Sequence, residues 1–221
     1  MWLASPALPV GGFSYSEVLE AAVAQGKVHD ASSAATWLKE QMILSQARGD
    51  WSVLGAFIHA WRVESNSPTR EQRVRELNQW VQHTRESAEL RLQTEQMGRS
   101  LLDWLRQRGW AQADDLALCQ SLGPTYPMVM GLALACTHAD VTSALMAYAF
   151  GWAENMTQAA IKSIPLGQSA GQAILAELST HMAQAVQDAL ARDDTTRQSF
   201  APMLAILSAQ HETQYSRLFR S

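Results

Sequence analysis

The sequence predicts an all-α protein, a single-domain helical bundle of about nine or ten helices. Apolar residues recur at three- and four-residue spacing through nearly every segment, the pattern of helices that bury one face. No alternating run bounded by turn residues makes a strand. The breaks are short and marked by Gly, Pro, Ser or Asp, with no fixed-length repeat and no linker long enough to separate domains. Residues 1–221 therefore read as one domain, opened by a loop-rich segment over 1–13 and closed by a polar and aromatic tail over 210–221.

Pro6, Pro9, Gly11 and Gly12 keep the first dozen residues irregular. Ser14 reads as the N-cap of the first helix, with Glu17 reaching back to complete a capping box. Val18, Leu19, Ala22 and Val23 form its apolar stripe, and Gly26 is its left-handed stop. The second helix follows Asp30 to about Gln46, with Trp37, Leu38, Gln41, Met42 and Leu44 on or near its buried side. Asp50 caps a third, which carries Trp51, Leu54, Phe57, Ile58 and Trp61, and Ser65-Asn66-Ser67-Pro68 breaks the chain. From Thr69 to Arg108 a more charged helical pattern divides near His83 to Ser87 and ends at Gly109. A short helix starts at Asp114 or Asp115 and stops at Gly123-Pro124. An apolar helix runs from Pro127 to Thr137, and Asp140 caps a long one from Val141 to Ser163. Another long helix, Gln168 to Ala191, precedes the Asp193-Asp194-Thr195-Thr196 loop, and Pro202 opens a short one through Leu204, Ile206 and Leu207.

Between the two long helices lies Ile164-Pro165-Leu166-Gly167-Gln168-Ser169-Ala170-Gly171-Gln172. Proline removes an amide donor, and glycine opens backbone angles that other residues avoid. Gln168, Ser169 and Gln172 then bring polar side chains to a helix start, which carries free amides and partial positive charge. The residues leave two readings open, a plain helix–loop–helix joint and a functional loop.

Hydrophobic residues make up 47% of the chain and charged ones 17%, a globular composition rather than a disordered one. A formal charge of −4 gives no footprint for nucleic acid and counts against a helix-turn-helix regulator. Lys and Arg are scattered, so no basic run would hold a membrane surface. No apolar run reaches the roughly 18 residues of a membrane-spanning helix, and no basic-then-apolar leader opens the chain. Cys119 and Cys136 lie outside any CxxC and suit a reducing compartment. The expectation is a cytoplasmic protein.

Recognisable catalytic machinery is not evident. There is no GxxxxGK[ST] to cradle a nucleotide and no GxSxG elbow. His29, His59, His83, His138, His181 and His211 are too far apart to pair as helical metal ligands, and neighbours such as His211-Glu212 point apart. Each cysteine reads as a small buried hydrophobe. Glu154 and Lys162, eight residues apart, lie near one helix face. They read either as solvated charges or as polar anchors of a partner-facing patch. The alternative is an enzyme with dispersed catalytic residues on a helical fold, whose turnover would need Glu154 or Lys162.

Four stretches in order carry a resemblance to a known family. They are Ala4-Ser5-Pro6-Ala7-Leu8-Pro9-Val10-Gly11-Gly12-Phe13-Ser14-Tyr15-Ser16-Glu17, then Glu89-Leu90-Arg91 with Met97-Gly98, then Ala159-Ala160-Ile161-Lys162-Ser163-Ile164-Pro165-Leu166-Gly167-Gln168 with Gly171-Gln172, and last His211-Glu212-Thr213-Gln214-Tyr215-Ser216-Arg217-Leu218-Phe219-Arg220-Ser221. Over nearly its whole length the chain resembles urease accessory proteins of the UreF type. Two departures stand out. Val18 occupies the place of a family glycine, and the opening signature normally lies a turn or two further inside the chain than it does after Met1 and Trp2.

The resemblance implies a non-catalytic, all-α assembly factor for urease that forms homodimers. It further implies binding to UreD (UreH in some bacteria), recruitment and modulation of the nickel-carrying GTPase UreG, and docking on apo-urease. On this reading no cofactor is held stably, and nickel is handled in transit by the complex. Residues carry over by motif: Glu20 and Lys162 are expected on the face seen by UreG, with Pro165, Gly167 and Gln168 holding its shape. Tyr215, Leu218 and Phe219 recur at i, i+3 and i+4 and predict a short apolar helical face, flanked by Arg217 and Arg220. So short a helix is marginal alone, so the tail is expected to order by docking, with UreD as the favoured host. The two long helices are candidates for the dimer seam.

Overall fold

The computed structural model describes residues 2–64 and 67–220, so Ser65 and Asn66 of the predicted break lie outside the described residues. Among those described, ten α-helices and no strand form the regular structure, and the fold is all-α. The helices are α1 (Leu19–Ala24), α2 (Ala31–Gln41), α3 (Asp50–Trp61), α4 (Pro68–His83), α5 (Ala88–Arg108), α6 (Ala113–Leu122), α7 (Tyr126–Ala135), α8 (Val141–Ser163), α9 (Gln168–Leu190) and α10 (Pro202–His211). Several boundaries follow from local chemistry. Asp30 and Ser33 form a reciprocal capping box on α2, Ser87 accepts from the Leu90 amide to start α5, and Asp140 accepts from the Ser143 amide to start α8. Gly109, with φ 58°, closes α5 in the left-handed region.

Helices α3 and α7 form the centre. Every residue from Pro127 to Ala135 is buried, as expected of a helix that is apolar all round. Gly131 permits the approach, since a Cβ there would lie 2.5 Å from Phe57 Cβ. Helix α5 covers α7, α4 lies on α3, and α8 packs along α9, which also carries α2. The short α1 touches both α8 and α10. Gly98 on α5 plays a similar role, because a Cβ would come within 2.6 Å of the Pro124 carbonyl oxygen.

Four local expectations are overturned. The first helix does not start at Ser14: Gly12–Ser14 is a separate 3-10 turn, and α1 begins only at Leu19. Glu17 and Val18 intervene with φ of 47° and 75°, and the Glu17 carboxylate is held by other elements instead of capping. The second helix turns π-helical over Met42–Gln46. Asp50 starts α3 without capping it and forms a two-pronged pair with Arg85 at 2.7 and 3.2 Å. Gly167 needs no special freedom: its φ of −78° is open to any residue, and nothing lies within 4 Å of where a Cβ would stand. The glycine that matters is Gly171, whose Cβ would collide with the Ile161 side chain where α9 crosses α8.

Candidate functional site

The tail folds back on its own chain as a strap. Beyond α10 it is irregular, and it is pinned from three places, two through its backbone and one through the Arg217 side chain. Glu20 in the first turn of α1 accepts from the Leu218 amide at 2.7 Å and the Phe219 amide at 3.0 Å. The Arg220 amide donates to the Ser14 carbonyl at 2.8 Å. Arg217 donates to Glu89, in the first turn of α5, at 2.5 Å. Glu212 accepts from the Ala88 and Glu89 amides and so helps cap α5. The expectation of a helical face formed by Tyr215, Leu218 and Phe219 is therefore corrected. In this irregular, bent chain Phe219 turns inward, 6% exposed, while Tyr215 and Leu218 face solvent. The short segment gains more from two backbone bonds to the Glu20 carboxylate and the Arg217–Glu89 ion pair than from one marginal helical turn.

His211 ends α10 wholly buried beneath the strap. Its Nδ1 lies 2.7 Å from Glu89 Oε2 and its Nε2 3.3 Å from Glu20 Oε2. The ring bridges two carboxylates that sit on opposite nitrogens. Among the described residues no group of three or more His, Cys, Asp or Glu could hold a metal ion.

Of the residues singled out by sequence, the structure brings together Glu20, Lys162 and the tail. Lys162 Nζ lies 6.0 Å from the centre of the Phe219 ring, within reach of a cation–π contact. Glu20 is not itself on the surface: it is 7% exposed and covered by the strap it holds. Pro165, Gly167 and Gln168 are exposed at the α8–α9 joint, just beyond the last turn of α8 that carries Lys162. Glu154 is half-buried farther up α8. Missed by sequence was the pairing of His211 with Glu89, because it joins residues more than a hundred positions apart.

A second polar centre was also missed. Glu17 Oε2 accepts from Trp152 Nε1 at 2.9 Å, Gln46 Nε2 at 3.0 Å and Gln41 Nε2 at 3.4 Å. It lines a cavity of about 150 Å³ together with Asp50, Arg85, Tyr126, Tyr148 and Asn155. Burial, aided by nearby Asp50, pushes the Glu17 carboxyl up to about 7, against the Trp152 hydrogen bond and Arg85. Burial likewise pushes up the Cys119 thiol, in keeping with a small core residue rather than a nucleophile.

The fold and site define a helical protein whose distinctive surface is a strapped terminal segment. A model of the UreF family matches residues 28–179. The urease accessory protein UreF of Polaromonas sp. is 58% identical over 221 residues, covering 100% of this chain and 93% of that protein. The UreF of Paracidovorax citrulli is 58% identical over 224 residues, covering 100% of this chain and 87% of its own. A bifunctional urease accessory protein UreEF of Bordetella bronchiseptica is 43% identical over 223 residues, covering 99% of this chain and 50% of that protein. The chain belongs to the UreF family of urease accessory proteins.

Proposed function

We propose that this chain is a non-catalytic scaffold of urease maturation. As a homodimer in the cytoplasm it binds UreD (UreH), recruits and modulates the GTPase UreG, and docks on apo-urease so that nickel reaches the enzyme as cargo. The observation that carries this reading is the composite surface of the strap. Tyr215 and Leu218 are exposed apolar groups on a segment pinned in place, with Arg217, Arg220 and Lys162 beside them. Exposed aromatic and apolar residues next to arginines are what protein interfaces favour. The sequence has no phosphate-binding loop, so in this reading nucleotide hydrolysis belongs to the partner.

Co-expression with UreD and UreG, followed by light scattering, tests the proposal. The expected result is a ternary complex that forms with the full chain and loses UreD when residues 210–221 are removed. A full-length chain that stays alone with every nucleotide would overturn it.

A further inference from the structure

Each of the two carboxylates under the strap does two jobs. Glu20 Oε1 receives the Leu218 amide, while its Oε2 receives the Phe219 amide and faces His211 Nε2. Glu89 gives Oε1 to Arg217 and Oε2 to His211 Nδ1. The imidazole thus stands between the two anchors of the strap, one on α1 and one on α5. Two buried carboxylates drawn toward one point repel unless a cation or donor lies between them. The ring presents one nitrogen to each carboxylate and so fills the space between them. Arg217 adds a cation at the outer side of Glu89.

We infer that His211 is the positioning residue of a clamp that bridges Glu20 and Glu89 and thereby seats the strap, so that Glu20 reaches any partner only through the segment it holds. The consequence is that the α1 glutamate and the tail are one surface rather than two. With both Glu20 oxygens engaged and its side chain covered, a partner meets Tyr215, Leu218 and Arg217 first. Loss of His211, of Glu20 or of the strap then produces the same defect, because each removes the same presented surface. This deepens the scaffold reading and rests on it for what binds there, whereas the clamp is measurable in the free protein.

The experiment is amide hydrogen exchange on the full-length chain, comparing wild type, His211→Ala and Glu20→Gln. Removing a charge-assisted bond weakens local closure, so the Leu218 and Phe219 amides should exchange roughly tenfold to a hundredfold faster. Core amides of α3 and α7 serve as the reference for intact folding. Should His211→Ala fail to fold, Glu20→Gln and the wild-type ring remain. Nitrogen NMR of the His211 ring should show the Nε2 resonance shift in Glu20→Gln while Nδ1, facing Glu89, keeps its position, and an unmoved Nε2 would overturn the bridge. Unchanged strap exchange in the folded variants would overturn the clamp as well. Faster exchange with undiminished UreD binding would uphold the clamp and count instead against the strap as the partner surface.

Discussion

Glu17 shows how one residue's backbone and charge are set by neighbours far away in sequence. Its carboxyl rises from an ordinary 4.5 to about 7, chiefly through burial. Between those values the folded chain holds a proton that the unfolded chain has released, so stability falls as pH rises from about 4.5 to about 7 and then levels. A shift of that size corresponds to on the order of 3 kcal/mol. Glu17→Gln mimics the protonated form, since its carbonyl can accept from Trp152 and Gln46 while the amide group takes the other side. The variant should match wild type near pH 5 and exceed it near pH 8, as read by urea denaturation at both values. An equal difference at the two pH values would show that the buried carboxyl is not the cause. Next to it, Val18 sits at φ 75°. A β-branched residue there bears backbone strain, of about 1–2 kcal/mol. Burial of its side chain, 1% exposed, offsets that cost by a similar amount. Neither residue announced its conformation in the sequence, because Ser14-x-x-Glu17 also spells a helix cap and valine argues against a left-handed turn.

At the scale of elements, the α8–α9 joint separates two glycines that look alike in the sequence. Gly171 is fixed by a crossing: the Ile161 side chain occupies the space that a methyl group would take, with Thr157 in ordinary contact behind it. Gly171→Ala should therefore cost about 1–3 kcal/mol, the usual penalty for overpacking. Gly167 precedes α9 with extended backbone and no side-chain cap, so Gly167→Ser should be neutral or gain up to about 0.5 kcal/mol by capping. Thermal melts of the two variants decide the matter, and a larger loss at Gly167 than at Gly171 would reverse the assignment. Helix ends were legible where the signal is local, as at Asp140, Ser87 and Gly109, since caps act within one turn. The π-helical turn at Met42–Gln46 carries no such mark, and hydrogen bonds and packing to other elements settle it. The strap was illegible for the same reason. Its anchors, Glu20 and Glu89, lie 198 and 128 positions from Leu218 and Arg217, so its short apolar spacing suggested a helix that long-range bonds override.

Over the whole molecule, the scaffold reading has a thermodynamic consequence that does not depend on any single contact. A protein that changes a GTPase's nucleotide cycle at equilibrium does so by binding one nucleotide state more tightly than the other. Couplings of this kind are typically 1–3 kcal/mol, roughly a 5- to 150-fold difference in affinity. With UreD present, UreG loaded with a non-hydrolysable GTP analogue should therefore bind this chain within that range more tightly than UreG loaded with GDP. Interferometry on the immobilised complex measures both affinities. Linkage supplies a second, independent reading: the same factor must appear as a change in UreG's relative affinity for the two nucleotides when the scaffold is added. Removing the residues after Glu212 leaves the helical core and its buried centre in place but deletes the strap, so it should abolish the difference rather than merely weaken binding to both states. Equal affinities for the two states with the full chain would reduce the scaffold to a passive tether. A difference that survives the deletion would move the discriminating surface from the strap to the exposed joint after Lys162.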